Sequence, residues 1–133
     1  MKSKFAFWYP PAMTTAEIAS RYVALCREGK FLQALDELYA DDIVSVEAMD
    51  IGDMPRELHG KIAVRDKNVW WFDVNDVQAA TITGPFLSPE RFSVIFSLDW
   101  IVKSTGERRH FEEIAVYTVA GDKIVREEFL YGS

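Results

Sequence analysis

Cysteine is almost missing from this chain. The one thiol, Cys26, cannot close an internal disulfide, so the fold has to rest on its core. A lone small hydrophobe in an apolar helical stripe also fits a reducing cytoplasm. Histidine is nearly as scarce: His59 and His110 lie far apart in the sequence. With no cysteine or carboxylate at ligand spacing from either, no metal site is expected, and no cofactor motif stands out. There is no basic run. Fifteen Lys and Arg are scattered among 21 Asp and Glu, for a net charge of −6 and a pI near 4.9, which argues against nucleic acid as a partner. No apolar run is long enough to cross a bilayer, so no membrane partner is expected. The opening Phe5-Ala6-Phe7-Trp8-Tyr9 ends at Pro10-Pro11, too soon for the apolar part of a signal peptide. It reads as part of an N-terminal arm, residues 1–13, packed on the domain or on a partner subunit. Repeats, linkers and low-complexity segments are missing as well.

What is present suits a single globular domain spanning 1–133. The chain is 49% hydrophobic and 14% aromatic, and a chain of this length buries roughly two-thirds of its unfolded surface. Thr14-Thr15-Ala16-Glu17 has the form of a capping box and starts a helix carrying Ile18, Tyr22, Leu25 and Cys26, with Gly29 as its stop. Phe31, Leu32, Leu35 and Leu38 mark a second, shorter helix ending at Tyr39-Ala40-Asp41-Asp42. Ile43 to Ala48 reads as a strand, and Met49 to Glu57 as a loop. His59-Gly60 leads into a third helix with Ile62, Ala63, Val69 and Trp70 as its pattern, closing on Trp70-Trp71-Phe72. Val77 to Thr83 is a strand stopped by Gly84-Pro85. Arg91 to Val102 alternates, with Phe92, Val94, Phe96, Leu98 and Trp100 on one face and Ser93, Ser97 and Asp99 on the other. His110 to Tyr131 forms a long hairpin around Ala120-Gly121-Asp122-Lys123. The order predicts an α+β fold in which helices pack on one face of a curved antiparallel sheet.

Several short stretches carry a family resemblance: Arg21-Tyr22, Leu38-Tyr39-Ala40-Asp41-Asp42, Leu58-His59-Gly60-Lys61, Thr83-Gly84-Pro85 and Lys123-Ile124-Val125-Arg126-Glu127-Glu128. Their order and spacing, from about Thr15 to Tyr131, resemble the nuclear transport factor 2-like superfamily, and within it the SnoaL-like and ketosteroid-isomerase-like proteins. The resemblance implies a cone-shaped cavity between the three helices and the concave face of the sheet, and a homodimer through the sheet's outer face. In ketosteroid isomerase the general base follows the tyrosine-alanine-aspartate-aspartate turn by five residues, an offset that falls on Glu47. The tyrosine donating to the oxyanion there matches Tyr22, while the place of its acidic partner donor holds Ala115. The arginine and aspartate of limonene-epoxide hydrolase correspond to Phe96 and Leu98, so that chemistry is not expected.

The hairpin register decides which side chains face the cavity. With a three-residue loop, Ala120 to Asp122, the residues Glu113, Ala115, Tyr117, Val125, Glu127, Phe129 and Tyr131 share the inner face. With a two-residue turn at Gly121-Asp122 the pairing slips by one. The resemblance favours the first. Glu47, Glu113 and Glu127 then approach one apolar pocket floored by Phe129 and Tyr131 and walled by Tyr117, Phe96, Leu98 and Trp100, with Trp71 and Trp70 placed to lid it or to serve as plain core. Crowded carboxyls cannot all ionise cheaply, so one titrates late and can act as acid while another acts as base. The alternative is that Glu113 and Glu127 pair with Arg65, Arg108 or Arg126 and only support the fold.

Three functions compete. The first is a domain binding a small hydrophobic or ring-containing ligand. The second is a proton-transfer enzyme of the isomerase or cyclase kind, with Glu47 as base and Tyr22 as electrophilic donor. The third is an interaction module using Ile95, Ile114, Val116 and Leu130 on the outer face, residues that more simply predict a homodimer.

Overall fold

The computed structural model describes residues 12–132. The aromatic stretch of the expected arm lies outside them. Helix α1 (Thr15–Arg27) starts as its sequence requires. Thr14 Oγ1 accepts from the Glu17 N–H at 3.1 Å, and the Thr14 N–H donates back to Glu17 Oε1 at 3.2 Å, so two of the helix's unpaired amides are satisfied at once. It ends at Gly29, whose φ of 75° lets the Gly29 N–H reach the Cys26 carbonyl and the Lys30 N–H the Leu25 carbonyl, a Schellman closure. Helix α2 (Phe31–Leu38) follows directly.

Strand β1 (Tyr39–Val46) begins four residues earlier than the sequence suggests, because Tyr39 already pairs with Ile124 near the far end of the chain. A three-residue strand, β2 (Glu57–His59), forms at the end of the expected loop and pairs antiparallel with β1. Helix α3 (Lys61–Val74) buries a different stripe from the one its hydrophobic residues suggest. Ile62 is 81% exposed, while Val64 and Lys67 are buried and Trp71 faces inward with them. The i, i+3, i+7 spacing is that of a helix face; the unexpected feature is a lysine in the middle of it.

The sheet continues with β3 (Asn75–Leu87), β4 (Arg91–Val102), β5 (Arg108–Ala120) and β6 (Lys123–Leu130), in the order β2-β1-β6-β5-β4-β3. Gly84-Pro85 does not stop β3, which runs on to Leu87 across a register shift between Thr83 and Phe86. Proline is tolerated because β3 is an edge strand and owes no hydrogen bond on its free side. Four of the five pairings are antiparallel, and β1 joins β6 in parallel. The result is an α+β fold: three helices against a curved, unclosed, mixed sheet.

The hairpin combines the two registers weighed from sequence. Ala120 pairs with Lys123, and Gly121 and Asp122 both take left-handed φ values of 55° and 63°, so the turn is the two-residue type I′ form rather than the three-residue loop. A bulge at Val125 then absorbs the slip: Val119 pairs with Ile124, but Thr118 pairs with Arg126. From there Tyr117 lies opposite Glu127 and Ala115 opposite Phe129. The expected inner face therefore holds for those four residues, and Val125 is replaced on it by the fully buried Ile124.

Candidate functional site

Between α3 and the inner face of the sheet lies a cavity of about 450 Å³. Alternation along β4 turns Phe96, Leu98 and Trp100 into it, β5 adds Phe111 and Glu113, and β6 adds Phe129, with Tyr131 just beyond. The inner stripe of α3 supplies Lys67 and Trp71, and Glu47 enters from the end of β1. Aromatic rings form an unbroken belt around the walls. Phe31 stacks on Phe72 at 5.4 Å, Phe72 meets Trp71 edge-on, Trp71 meets Trp100 at 5.7 Å, Trp100 meets Phe111 edge-on, and Phe111 meets Tyr131. Such a surface favours flat, apolar molecules.

One end of this cavity is polar. The Lys67 ammonium donates to Glu47 Oε1 at 2.9 Å and to Ser45 Oγ at 3.0 Å. Glu47 Oε2 accepts from the Tyr131 hydroxyl at 3.0 Å. The Ser45 hydroxyl in turn donates to Glu127 Oε2 at 3.2 Å, and the Tyr39 hydroxyl donates to Glu127 Oε1 at 2.6 Å. One connected network thus runs from Tyr131 at the cavity to Tyr39 in the core, with a single ammonium amid Glu47, Glu113 and Glu127. Burying that many charges is tolerable because Lys67 offsets them and both oxygens of Glu47 and of Glu127 accept hydrogen bonds, and no fully buried side-chain nitrogen or oxygen among the described residues lacks a partner.

The three carboxyls are not equivalent. Burial, then the negative charges of Glu47 and Glu127, push Glu113 up to about 8 against the relief given by Lys67. Glu113 is therefore mostly protonated at neutral pH and presents a proton donor to the cavity. Burial also raises Glu127, partly offset by Lys67 and by the hydroxyls of Tyr39 and Ser45. No arginine pairs with Glu113 or Glu127 among the described residues: Arg65 pairs with Asp36 at 2.7 Å, Arg126 with Glu128 at 3.2 Å, and Arg109, at the cavity's edge, with Glu107 at 3.0 Å.

The cavity brings together Glu47, Glu113, Phe96, Leu98, Trp100, Trp71, Phe129 and Tyr131. Tyr22, Tyr117 and Glu127 are not on its lining but in the layer beneath. The Tyr22 and Tyr117 hydroxyls share a hydrogen bond of 2.5 Å, their rings pack at 4.6 Å, and burial raises both phenols far above their usual range. Tyr22 therefore does not face the cavity, which is a correction to its expected place. Sequence reasoning missed Lys67, Ser45 and Tyr39. The signal for Lys67 was the Val64–Lys67–Trp71 stripe; for the other two there was none, since their partner Glu127 is more than eighty residues away. His59 pairs with Glu57 and His110 with Asp99, all exposed. Burial pushes the Cys26 thiol up to about 12, which makes it inert as a nucleophile. Among the described residues no helix is long and apolar enough to cross a membrane.

Comparison with known proteins agrees with this architecture. The chain is similar over 90% of its length, and over all of the other chain, to a Mesorhizobium loti protein provisionally named a SnoaL-like polyketide cyclase, with 38% identity and a TM-score of 0.83. An isomerase, also provisionally named, from Bacillus subtilis shares the fold at 18% identity, 88% and 85% coverage and a TM-score of 0.68. A protein from Anabaena variabilis described as NTF2-like does so at 14% identity, 90% coverage of both chains and a TM-score of 0.70. No curated protein sequence matches the chain. The sequence pattern of the SnoaL-like domain covers residues 13–131, and with it the whole of the sheet, the helices and the cavity: the chain belongs to the SnoaL-like domain family.

Proposed function

We propose that this protein binds an apolar, ring-containing carbonyl compound in the cavity and moves a proton on it, as an isomerase or a ring-closing cyclase does, with Glu47 as base and Glu113 as acid. The observation that carries this reading is the pairing of two unlike carboxyls in one apolar hollow. Glu47 bears an ammonium and a phenol, one on each oxygen, and each oxygen keeps a second lone pair for an incoming proton. Glu113 holds its own proton at neutral pH and can hand it to a carbonyl oxygen. Acid and base facing one substrate from separate strands is the arrangement that α-proton transfer needs.

The test is proton exchange. Ring ketones such as 2-tetralone, incubated with the protein in D2O and followed by proton NMR, should lose their α-proton signals faster than in buffer. Glu47→Gln should slow that exchange by at least about 100-fold, the scale of a lost general base. If ketones that raise the melting temperature exchange no faster than in buffer, catalysis is ruled out and a pure binding role takes its place. The placement of Tyr22 under the cavity floor, and of Ala115 where the relatives' second oxyanion donor stands, favours that second reading.

Two coarser expectations belong here. Ile95, Ile114 and Leu130 sit side by side across β4, β5 and β6, with Ile114 44% and Leu130 46% exposed, and this outer patch supports a homodimer. The lone cysteine supports a cytoplasmic location.

A further inference from the structure

Lys67 differs from every other described lysine. Lys30, Lys103 and Lys123 are exposed and Lys61 is half-buried, whereas Lys67 is 8% exposed and lines the cavity. As a mere counterion for Glu47 and Glu127 an arginine would serve and would bring five donors in a fixed fork. Lysine brings a nitrogen that can lose a proton and attack carbon.

We infer that Lys67 is a covalent catalytic residue, forming an iminium ion with the carbonyl carbon of a ketone or aldehyde in the cavity. This step rests on the carbonyl ligand proposed above and deepens that reading. Glu47, 2.9 Å from Nζ, takes one ammonium proton. The freed amine attacks the carbonyl carbon, the C–N bond forms, and the carbonyl π pair moves onto oxygen, which takes the proton of Glu113. The nitrogen then gives a proton back to Glu113, leaving a neutral carbinolamine. The C–O bond breaks, the hydroxyl leaves as water with the proton held by Glu47, and the nitrogen lone pair closes the C=N bond. One water is released, and both carboxyls return to their starting states.

Electrostatics favour the product as much as the starting state. An iminium carries the same single positive charge as the ammonium, so Glu47 and the buried Glu127 face the same counterion at the end as at the start. Nζ also lies 5.4 Å from the centroid of the Phe129 ring, a face that attracts a cation in either form. The aromatic belt gives the adduct apolar walls, and Glu113, protonated at neutral pH, supplies the acid that dehydration chemistry requires. An iminium acidifies the neighbouring carbon, so Glu47 can then remove an α-proton as an enamine forms.

The probe is 1-phenylbutane-1,3-dione, an aromatic 1,3-diketone whose amine adduct loses water to a conjugated, ultraviolet-absorbing enaminone without any reductant. The full chain should acquire one adduct, of the mass of the diketone less one water, mapped by peptide mass spectrometry to Lys67. That adduct should form at least tenfold faster than on any surface lysine. Lys67→Arg, which keeps the charge but offers no amine, should lose it, and Glu47→Gln should slow it. Melting temperature in the same samples reports binding separately. A thermal shift with no Lys67 adduct overturns the iminium and leaves the proton-transfer reading standing, while neither shift nor adduct overturns both. Labelling spread evenly over surface lysines also overturns it.

Discussion

Glu113 shows how far one side chain's state is decided by its surroundings. On a surface strand it would be an ordinary carboxylate. Here burial and two neighbouring carboxylates hold its proton up to about 8. The folded protein therefore binds that proton more tightly than the unfolded chain, whose carboxyl titrates near 4.5. Wherever the native state holds more protons, stability falls as pH rises. Glu113 thus contributes stability that is complete below about 4.5 and lost as pH climbs through about 8, and Glu127, raised as well, acts in the same direction. The surface carboxyls of Asp36, Glu37 and Glu107 are held low by arginines and act oppositely, in the acid range. Melting temperature is accordingly expected to decline from pH 5 to pH 8, and Glu113→Gln should flatten that slope; an unchanged slope would mean that the carboxyl does not keep its proton. Glu47 and Glu113 were legible in the sequence because each could be located by an offset or an alternation. Lys67 was not, because a lysine on a helix reads as a solvated charge until the strand it faces is known.

Among the elements, the β5–β6 hairpin does most to position the site. A type I′ turn alone would put Glu127 and Phe129 on the wrong face; the extra residue at Val125 restores them. Removing Val125 should therefore leave the pairing of Tyr117 with Glu127 intact, and the variant should fold with its cavity preserved. Removing Val125 and Arg126 together should turn Glu127 and Phe129 outward and abolish cooperative unfolding in a chemical denaturation curve. If the single deletion fails to fold while the double deletion folds, this account of the bulge is wrong. Gly121-Asp122 offered the two-residue turn only as the less favoured of two choices, and the bulge was not readable at all, because nothing local to Val125 asks for one. The capping box and glycine stop of α1, in contrast, are complete within their own sequence. The stripe of α3 fell between these cases: its spacing was helical, but which of two faces was buried depended on what the sheet offered.

For the molecule as a whole, the paired outer residues Ile114 and Leu130 make a prediction about assembly. Light scattering should give the mass of two chains, and Ile114→Lys with Leu130→Lys should give one, with the cavity and its ligand-induced thermal shift retained. A wild-type monomer at micromolar concentration would remove the homodimer. The sequence by itself determined what is local: the start and stop of α1, the alternation that gives β4 an apolar face, the hairpin's place in the chain, and an acidic residue at the end of the first strand. Those features follow from backbone sterics and from the hydrogen-bonding needs of neighbouring residues. Only the tertiary structure decided that β1 lies parallel to β6, that the bulge turns Glu127 inward, that Tyr22 is taken by Tyr117, and that Lys67 meets Glu47 and Ser45. Each depends on which distant groups share the interior, where an unpaired charge is so costly that no fully buried side-chain nitrogen or oxygen among the described residues is left without a partner.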